Sequence, residues 1–198
     1  MLKVGITGGI GSGKSTVCRL FELMGIPVFY ADASGKYLLE SEEAVKSEVK
    51  ALFGPQAYTA AGKPDRKWIA DVVFKDNAKL ESLNQIIHPA VKRAFEDWSS
   101  AQQAPYVLKE AALMFESGSF RQNSVNVLVF SPLDLRIKRV MQRDGSTKEA
   151  VLARIAKQMP EDEKQKLSDF IIFNQEDQML IPQVIKLHEY FLSICQQN

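Results

Sequence analysis

Gly8 is followed, after four intervening residues, by Gly13, Lys14 and Ser15, inside the segment VGITGGIGSGKSTVCRLF that begins at Val4. These residue types at this spacing suit one task, the grip of a polyphosphate. Closely spaced glycines let backbone N–H groups turn into a concave nest for phosphate oxygens, and they are otherwise costly to order. A helix starting at the nest aims the positive end of its dipole at the same point. Lys14 supplies a mobile positive charge for the β- and γ-phosphates, and the Ser15 hydroxyl can ligate Mg²⁺. A turn that merely joined strand to helix would explain the glycines but not Lys14, Ser15 and Thr16 behind them. The pattern is that of a P-loop, G-x-x-x-x-G-K-[ST]. Its candidate ATP contacts are Gly8, Gly11, Ser12, Gly13, Lys14, Ser15 and Thr16.

A loop of this kind needs a strand before it and an amphipathic helix after it. Short apolar runs at Leu2–Thr7, Pro27–Ala31, Pro105–Glu110, Val125–Phe130 and Asp169–Phe173 read as strands separated by helical patterns. After Lys14, residues Val17, Leu20, Phe21 and Met24 share one helical face, and Gly25 supplies a stop. The last helix carries Val184, Leu187, His188, Phe191 and Cys195 at the same spacing. The alternation predicts an α/β fold of the P-loop NTPase type, with helices on both faces of a five-stranded parallel sheet. The stretch from Ser34 to Ala101 is far longer than a crossover needs, so residues 34–101 are expected to form a helical lobe. A charged helical stretch from Asp134 to Lys166 holds Arg136, Arg139, Arg143 and Arg154, with joints at DGST and MPED. It reads as a lid over the nucleotide, residues 134–166, leaving 1–33, 102–133 and 167–198 as the core of a single domain.

Composition narrows the classes. The 25 basic and 24 acidic residues leave a net charge of +1, so no global field recruits nucleic acid or an anionic membrane. No apolar run approaches a membrane span, the N-terminus lacks a signal-peptide pattern, and a cytoplasmic location is expected. Cys18 and Cys195 lie within helical patterns and read as small hydrophobes. Two histidines and two distant cysteines argue against a zinc site. DASG at Asp32–Gly35 mimics a GTPase switch element, but no N-K-x-D guanine motif accompanies it. The helical insertion and arginine-rich lid point instead to a kinase that closes over a small substrate to exclude water. A nucleotide-binding switch without transferase activity is the alternative of a different class.

TGGIGSGKSTV at Thr7–Val17, YAD at Tyr30–Asp32, HP at His88–Pro89 and EAALMFE at Glu110–Glu116 occur in that order. KRVMQRD at Lys138–Asp144, Gln158 and SDFIIFN at Ser168–Asn174 complete the series. Together they resemble the dephospho-CoA kinases over nearly the whole chain. That resemblance implies transfer of the ATP γ-phosphate to the ribose 3′-hydroxyl of dephospho-CoA, with Mg²⁺, as the last step of coenzyme A synthesis. A kinase for another small hydroxyl compound is the nearest rival.

Carried over residue by residue, the resemblance implies that Asp32 orients the acceptor hydroxyl, Tyr30 standing where the family has a first acid. A carboxylate at the end of the second strand sits where open α/β sheets bind ligands, and Asp also favours a helix N-cap; one carboxylate can do both. Lys36 replaces the family's arginine, keeping charge but losing the bidentate fork, and reads equally as a solvated helix charge. Glu110 replaces the acid at the end of the third strand, where it would hold Mg²⁺ through water, or is a strand-end surface charge. Ala112 takes the place of a proline. Glu116 falls near the substrate in the family pattern, while Leu113, Met114 and Phe115 line its crevice or belong to the core. His88 reads as a substrate contact or a helix-boundary histidine, and His188 as packing. Arg139 and Arg143, four apart, are candidates for contact with the transferring phosphate; Arg136 and Arg154 read more readily as solvated. Asn174 matches a position near the adenine, and Glu176 replaces the usual glycine two residues on.

Overall fold

The computed structural model describes residues 1–196. Five parallel strands, β1 (Leu2–Thr7), β2 (Val28–Tyr30), β3 (Tyr106–Glu110), β4 (Val125–Phe130) and β5 (Phe170–Phe173), form one sheet in the order β2-β3-β1-β4-β5. The chain divides into two compact units, Met1–Tyr30 with the chain from Gln102 onward, and Ala31–Ala101.

In the sheet unit, strand alternation sends Val4, Ile6, Leu108, Val127, Val129 and Ile172 to one face. They pack there against Val17 and Phe21 of α1 (Lys14–Leu23) and Val184 and Phe191 of α9 (Leu180–Gln196). The ring of Tyr106 is fully buried between Phe21 and Phe191, and its hydroxyl meets His188 Nδ1 at 2.6 Å. The packing role expected of His188 thus includes a buried hydrogen bond. The other face carries polar groups: buried Lys109 donates to Gln122 Oε1 at 3.0 Å, and Asn123 donates to Asn126 Oδ1 at 2.9 Å. α1 ends where Gly25 adopts φ +81° and its N–H reaches the Glu22 carbonyl, while Ile26 N–H returns to Phe21. That paired closure requires a left-handed residue, which glycine supplies.

β2 stops at Tyr30, one residue short of the expected strand end, and its hydroxyl donates to Glu22 Oε1 at 3.0 Å. The tyrosine that replaces a family acid is therefore tied to α1. The charged segment between β4 and β5 forms α6 (Leu133–Asp144), α7 (Lys148–Ile155) and α8 (Glu161–Leu167), with Gly145, Thr147 and Pro160 at the joints.

The second unit comprises α2 (Ala31–Ser41), α3 (Glu43–Phe53), α4 (Arg66–Lys75) and α5 (Asn77–Ser100). Its own core contains Val45, Val49, Phe53, Tyr58, Ile69 and Leu83. Asp65 and Asp76 cap α4 and α5 through the N–H groups of Trp68 and Lys79. α5 runs unbroken through Pro89, so His88 is not a helix-boundary residue. Proline inside a helix removes one hydrogen bond; burial of Leu83, Ala90, Val91 and Phe95 along the same helix offsets that loss. Asp32 lies within the first turn of α2, exposed, and not at its cap. A carboxylate there still complements the positive end of the helix.

Candidate active site

The loop between β1 and α1 lies at the carboxyl edge of the sheet, beside the strand where the order reverses, the crevice that open α/β sheets use for ligands. Glu110, the last residue of β3, is in register with Ile6 and Tyr30, which puts it level with the start of the loop. Ser131 follows β4 and Asn174 follows β5 at the same edge.

Every turn of the loop is held by a named partner. Lys14 Nζ donates to the Gly8 carbonyl at 2.8 Å, and Ser12 N–H to the Gly9 carbonyl at 3.0 Å. Gln158 Oε1 accepts from Ile10 N–H at 2.9 Å, and Arg136 Nε donates to the Ile10 carbonyl at 3.0 Å. The Asn174 amide donates to the Ser12 carbonyl at 2.7 Å. Arg139 reaches Ser131 Oγ at 3.1 Å and the Asn174 carbonyl at 3.3 Å, with a longer contact of 3.5 Å to the Gly11 carbonyl. In a trans peptide the carbonyl and the next N–H point to opposite sides. Holding the Ile10 and Ser12 carbonyls from outside therefore turns Gly11 N–H and Gly13 N–H the other way. The clamps aim the amides that a phosphate would meet.

Two glycines show how close these clamps come. Gly13 has φ +96°, and a Cβ there would collide with the Asn174 amide. A Cβ on Gly9 would strike both the Arg136 guanidinium and Glu161 Oε1.

Arg136 is only 2% exposed and pairs with Glu161 at 2.8 Å, a correction to its reading as a solvated charge. Burial of a guanidinium is tolerated because the Ile10 carbonyl accepts from it and the Glu161 carboxylate supplies the counter-charge. Arg143, one turn beyond Arg139, instead chelates Asp144 at 2.6 and 3.1 Å, and Arg154 donates to the same carboxylate at 2.8 Å. Hydrogen bonds from Arg143 and then Arg154 hold the Asp144 carboxyl well below the usual range. Beneath the loop, burial and then the Glu110 charge push the Cys18 thiol far up, so it is an inert core group.

Glu116 Oε1 accepts from Met159 N–H at 2.9 Å and lies 3.2 Å from Lys164 Nζ. Lys164 is fully buried, and its ammonium is not aligned on the carboxylate as a hydrogen bond. Met114 and Phe115 are buried core residues, whereas Leu113 is exposed. Asp32, Lys36 and His88 belong to the second unit, and the loop, Glu110, Glu116, the arginines of α6 and α7 and Asn174 to the first. The sequence reading missed Glu161 and Lys164, and assigned no role to Gln158. Gln158 stood in the family series, but in the charged run from Glu161 to Lys166 nothing distinguished the buried residues from the solvated ones.

A cleft of about 540 Å³ adjoins Asn174, with Pro132, Leu135 and Lys138 on one side and Gln175, Glu176 and Asp177 on the other. Among the described residues no three His, Cys, Asp or Glu side chains form a metal cage. No helix among them is long and apolar enough to cross a membrane.

A parallel α/β sheet with a clamped G-x-x-x-x-G-K-S loop at its switch point defines a P-loop kinase. A crystal structure from Thermus thermophilus superposes with a TM-score of 0.87 at 38% identity, covering 96% of this chain and 97% of that one. Dephospho-CoA kinase from Campylobacter jejuni superposes at 0.71 with 26% identity, over 96% and 97%. Shikimate kinase from Acinetobacter baumannii, 16% identical with a TM-score of 0.55 over 98% and 94%, shares the fold. Proteins named dephospho-CoA kinase from Bacteroides fragilis and Thermus thermophilus are 36% and 42% identical, over 94% and 86% of this chain and 91% and 82% of theirs. The sequence profile of the dephospho-CoA kinases matches residues 2–179, and the chain belongs to that family.

Proposed function

We propose that this protein transfers the γ-phosphoryl group of MgATP to the ribose 3′-hydroxyl of dephospho-CoA, giving coenzyme A and ADP, in the cytoplasm. The observation that carries the reading is the clamped phosphate loop within a chain whose family match spans residues 2–179. The 3′-oxygen forms its bond to the γ-phosphorus as the bond to the β,γ-bridging oxygen breaks. ADP leaves with that electron pair. Lys14 and the loop amides stabilise the developing charge, which is where such catalysis gains most. Asp32 accepts the hydrogen bond of the attacking hydroxyl and takes its proton late.

The Ser15 hydroxyl and the Glu110 carboxylate are hard oxygen donors, which suit a Mg²⁺ ion that is otherwise held by phosphate oxygens and water. The Ser15 hydroxyl and, through water, Glu110 would hold it. When bound, the ion neutralises charge on the transferring phosphate. Arg139 acts from its place at the loop, whereas Arg143 must first leave Asp144. The adenine occupies the cleft beside Asn174, between Pro132 and Leu135 on one side and Glu176 on the other. Asp32, Lys36 and His88 contact the acceptor.

A coupled assay with ATP and dephospho-CoA tests the reading. Stoichiometric, acceptor-dependent formation of ADP and coenzyme A is the expected result. Turnover only with another hydroxyl compound would reassign the substrate. Nucleotide binding with no acceptor-dependent turnover would remove the kinase reading.

A further inference from the structure

Lys164 is an odd residue to bury. It is fully enclosed, yet it sits in EDEKQKL, a run in which nearly every side chain is charged or polar. A lone buried ammonium is costly, and a counter-charge is needed to hold it there. Glu116, at 3.2 Å, is that charge. Three residues earlier on the same helix, Glu161 pairs with Arg136 over Gly9. The segment is thus tied to the loop following β3 through Lys164 and to α6, beside Gly9, through Glu161.

The chain of contacts runs on from there. The carboxylate that meets Lys164 also accepts from Met159 N–H at 2.9 Å, through the same oxygen. That N–H shares a peptide plane with the Gln158 carbonyl, so fixing it fixes the main chain from which the Gln158 side chain springs. Gln158 Oε1 then accepts from Ile10 N–H at 2.9 Å. An amide oxygen is well chosen for this place. It orients a backbone N–H without placing a negative charge against a loop built for phosphate.

We propose that Gln158 and Glu116 are positioning residues for ATP. Gln158 sets the direction of the Gly9–Ile10 peptide, Glu116 sets Gln158 through Met159, and Lys164 is the buried counter-charge that holds Glu116 in place. The proposal gives Glu116 a task on the nucleotide side. It rests on the kinase reading only in taking the loop as the ATP site, and its test needs no acceptor.

The experiment is titration of the protein with MgATP by calorimetry, without dephospho-CoA, beside thermal unfolding of the same samples. Gln158→Met keeps side-chain length and removes the acceptor. It is expected to weaken MgATP binding about tenfold, the scale of one oriented hydrogen bond, with little change in unfolding temperature because Gln158 is only partly buried. Glu116→Gln keeps an acceptor for Met159 N–H but strands the Lys164 charge. It should lower the unfolding temperature and weaken MgATP binding by less than Gln158→Met does. Glu116→Lys combined with Lys164→Glu keeps an ion pair but removes the acceptor, and should weaken MgATP binding while the unfolding temperature stays near wild type. Wild-type ATP affinity in Gln158→Met overturns the proposal whether or not the exchanged pair folds. So does an exchanged pair that binds ATP normally but raises the KM for dephospho-CoA, because Glu116 would then serve the acceptor. If wild type binds MgATP and the variants behave as stated while dephospho-CoA is not turned over, the acceptor assignment alone fails.

Discussion

At the scale of single residues, Lys14 and Asp32 have different proposed parts in the same reaction. Lys14 already rests on the Gly8 carbonyl at 2.8 Å, a neutral acceptor at the entrance of the loop. A γ-phosphate offers it a far better partner, because an anionic oxygen adds an ion pair to the hydrogen bond. Lys14→Ala should lower turnover by about 10²-fold or more, the loss typical of a strong electrostatic stabiliser; near-normal turnover in steady-state kinetics would take Lys14 out of the mechanism. Asp32 is exposed in the first turn of α2 and is proposed to act only on the acceptor. Asp32→Asn should depress kcat while leaving the MgATP dissociation constant near wild type. Loss of ATP binding in that variant would assign Asp32 to the nucleotide or to the fold. The loop itself was legible in the sequence because its constraint is local: glycine spacing, a lysine and the two hydroxyls that follow it are all contained in Gly8–Thr16. What holds the loop was not legible. Arg136 and Gln158 reach Ile10 from well over a hundred residues away in the chain, and no local pattern marks which arginine of a charged helix turns inward.

At the scale of elements, helix ends were readable where an apolar run met glycine, as at Gly25 and Gly145, but not at Pro89, through which α5 continues. The boundary at Tyr30 slipped by one residue because Ala31 suits both a strand end and a helix start. α6 and α8 show where such reading stops, since their buried pair is a property of two helices together. Removing one partner of a buried pair leaves the other charge uncompensated, at about 3–5 kcal/mol. Arg136→Met should fall toward the lower end of that range in urea unfolding, since Glu161 keeps 20% of its side-chain exposure. Adding Glu161→Gln should recover much of the loss, because the stranded charge goes with it. A double variant no more stable than the single one would show that the arginine's hydrogen bond to Ile10, and not the pairing, carries the energy. The Asp144 tie behaves differently with pH. Its folded carboxyl is held below the usual range by Arg143 and Arg154, so its contribution is present at neutral pH and is lost only as pH falls through that lowered value. An NMR titration should find Asp144 still ionised where exposed aspartates have protonated.

At the scale of the whole molecule, the two units have separate cores, one around Val4, Phe21 and Phe191 and the other around Val49, Phe53 and Leu83. A ligand stabilises whatever it binds by RT ln(1 + [L]/Kd), which is about 2.7 kcal/mol at a hundredfold excess over Kd. For a chain of this size each kcal/mol moves the unfolding midpoint by about 2–4 °C, so saturating MgATP should raise it by roughly 5–10 °C in scanning calorimetry, and chelation of the metal should withdraw much of that shift. The two tryptophans provide an independent view. Trp68 and Trp98 both lie in the second unit, packed near Phe53 and Phe95, while the phosphate loop lies in the first. If each core melts on its own account, the tryptophan fluorescence midpoint should rise less than the calorimetric one when MgATP is added. Equal shifts by both probes would mean that the cores unfold as one cooperative body. The energy of gripping a phosphate would then be felt in the helices that carry Asp32 and His88.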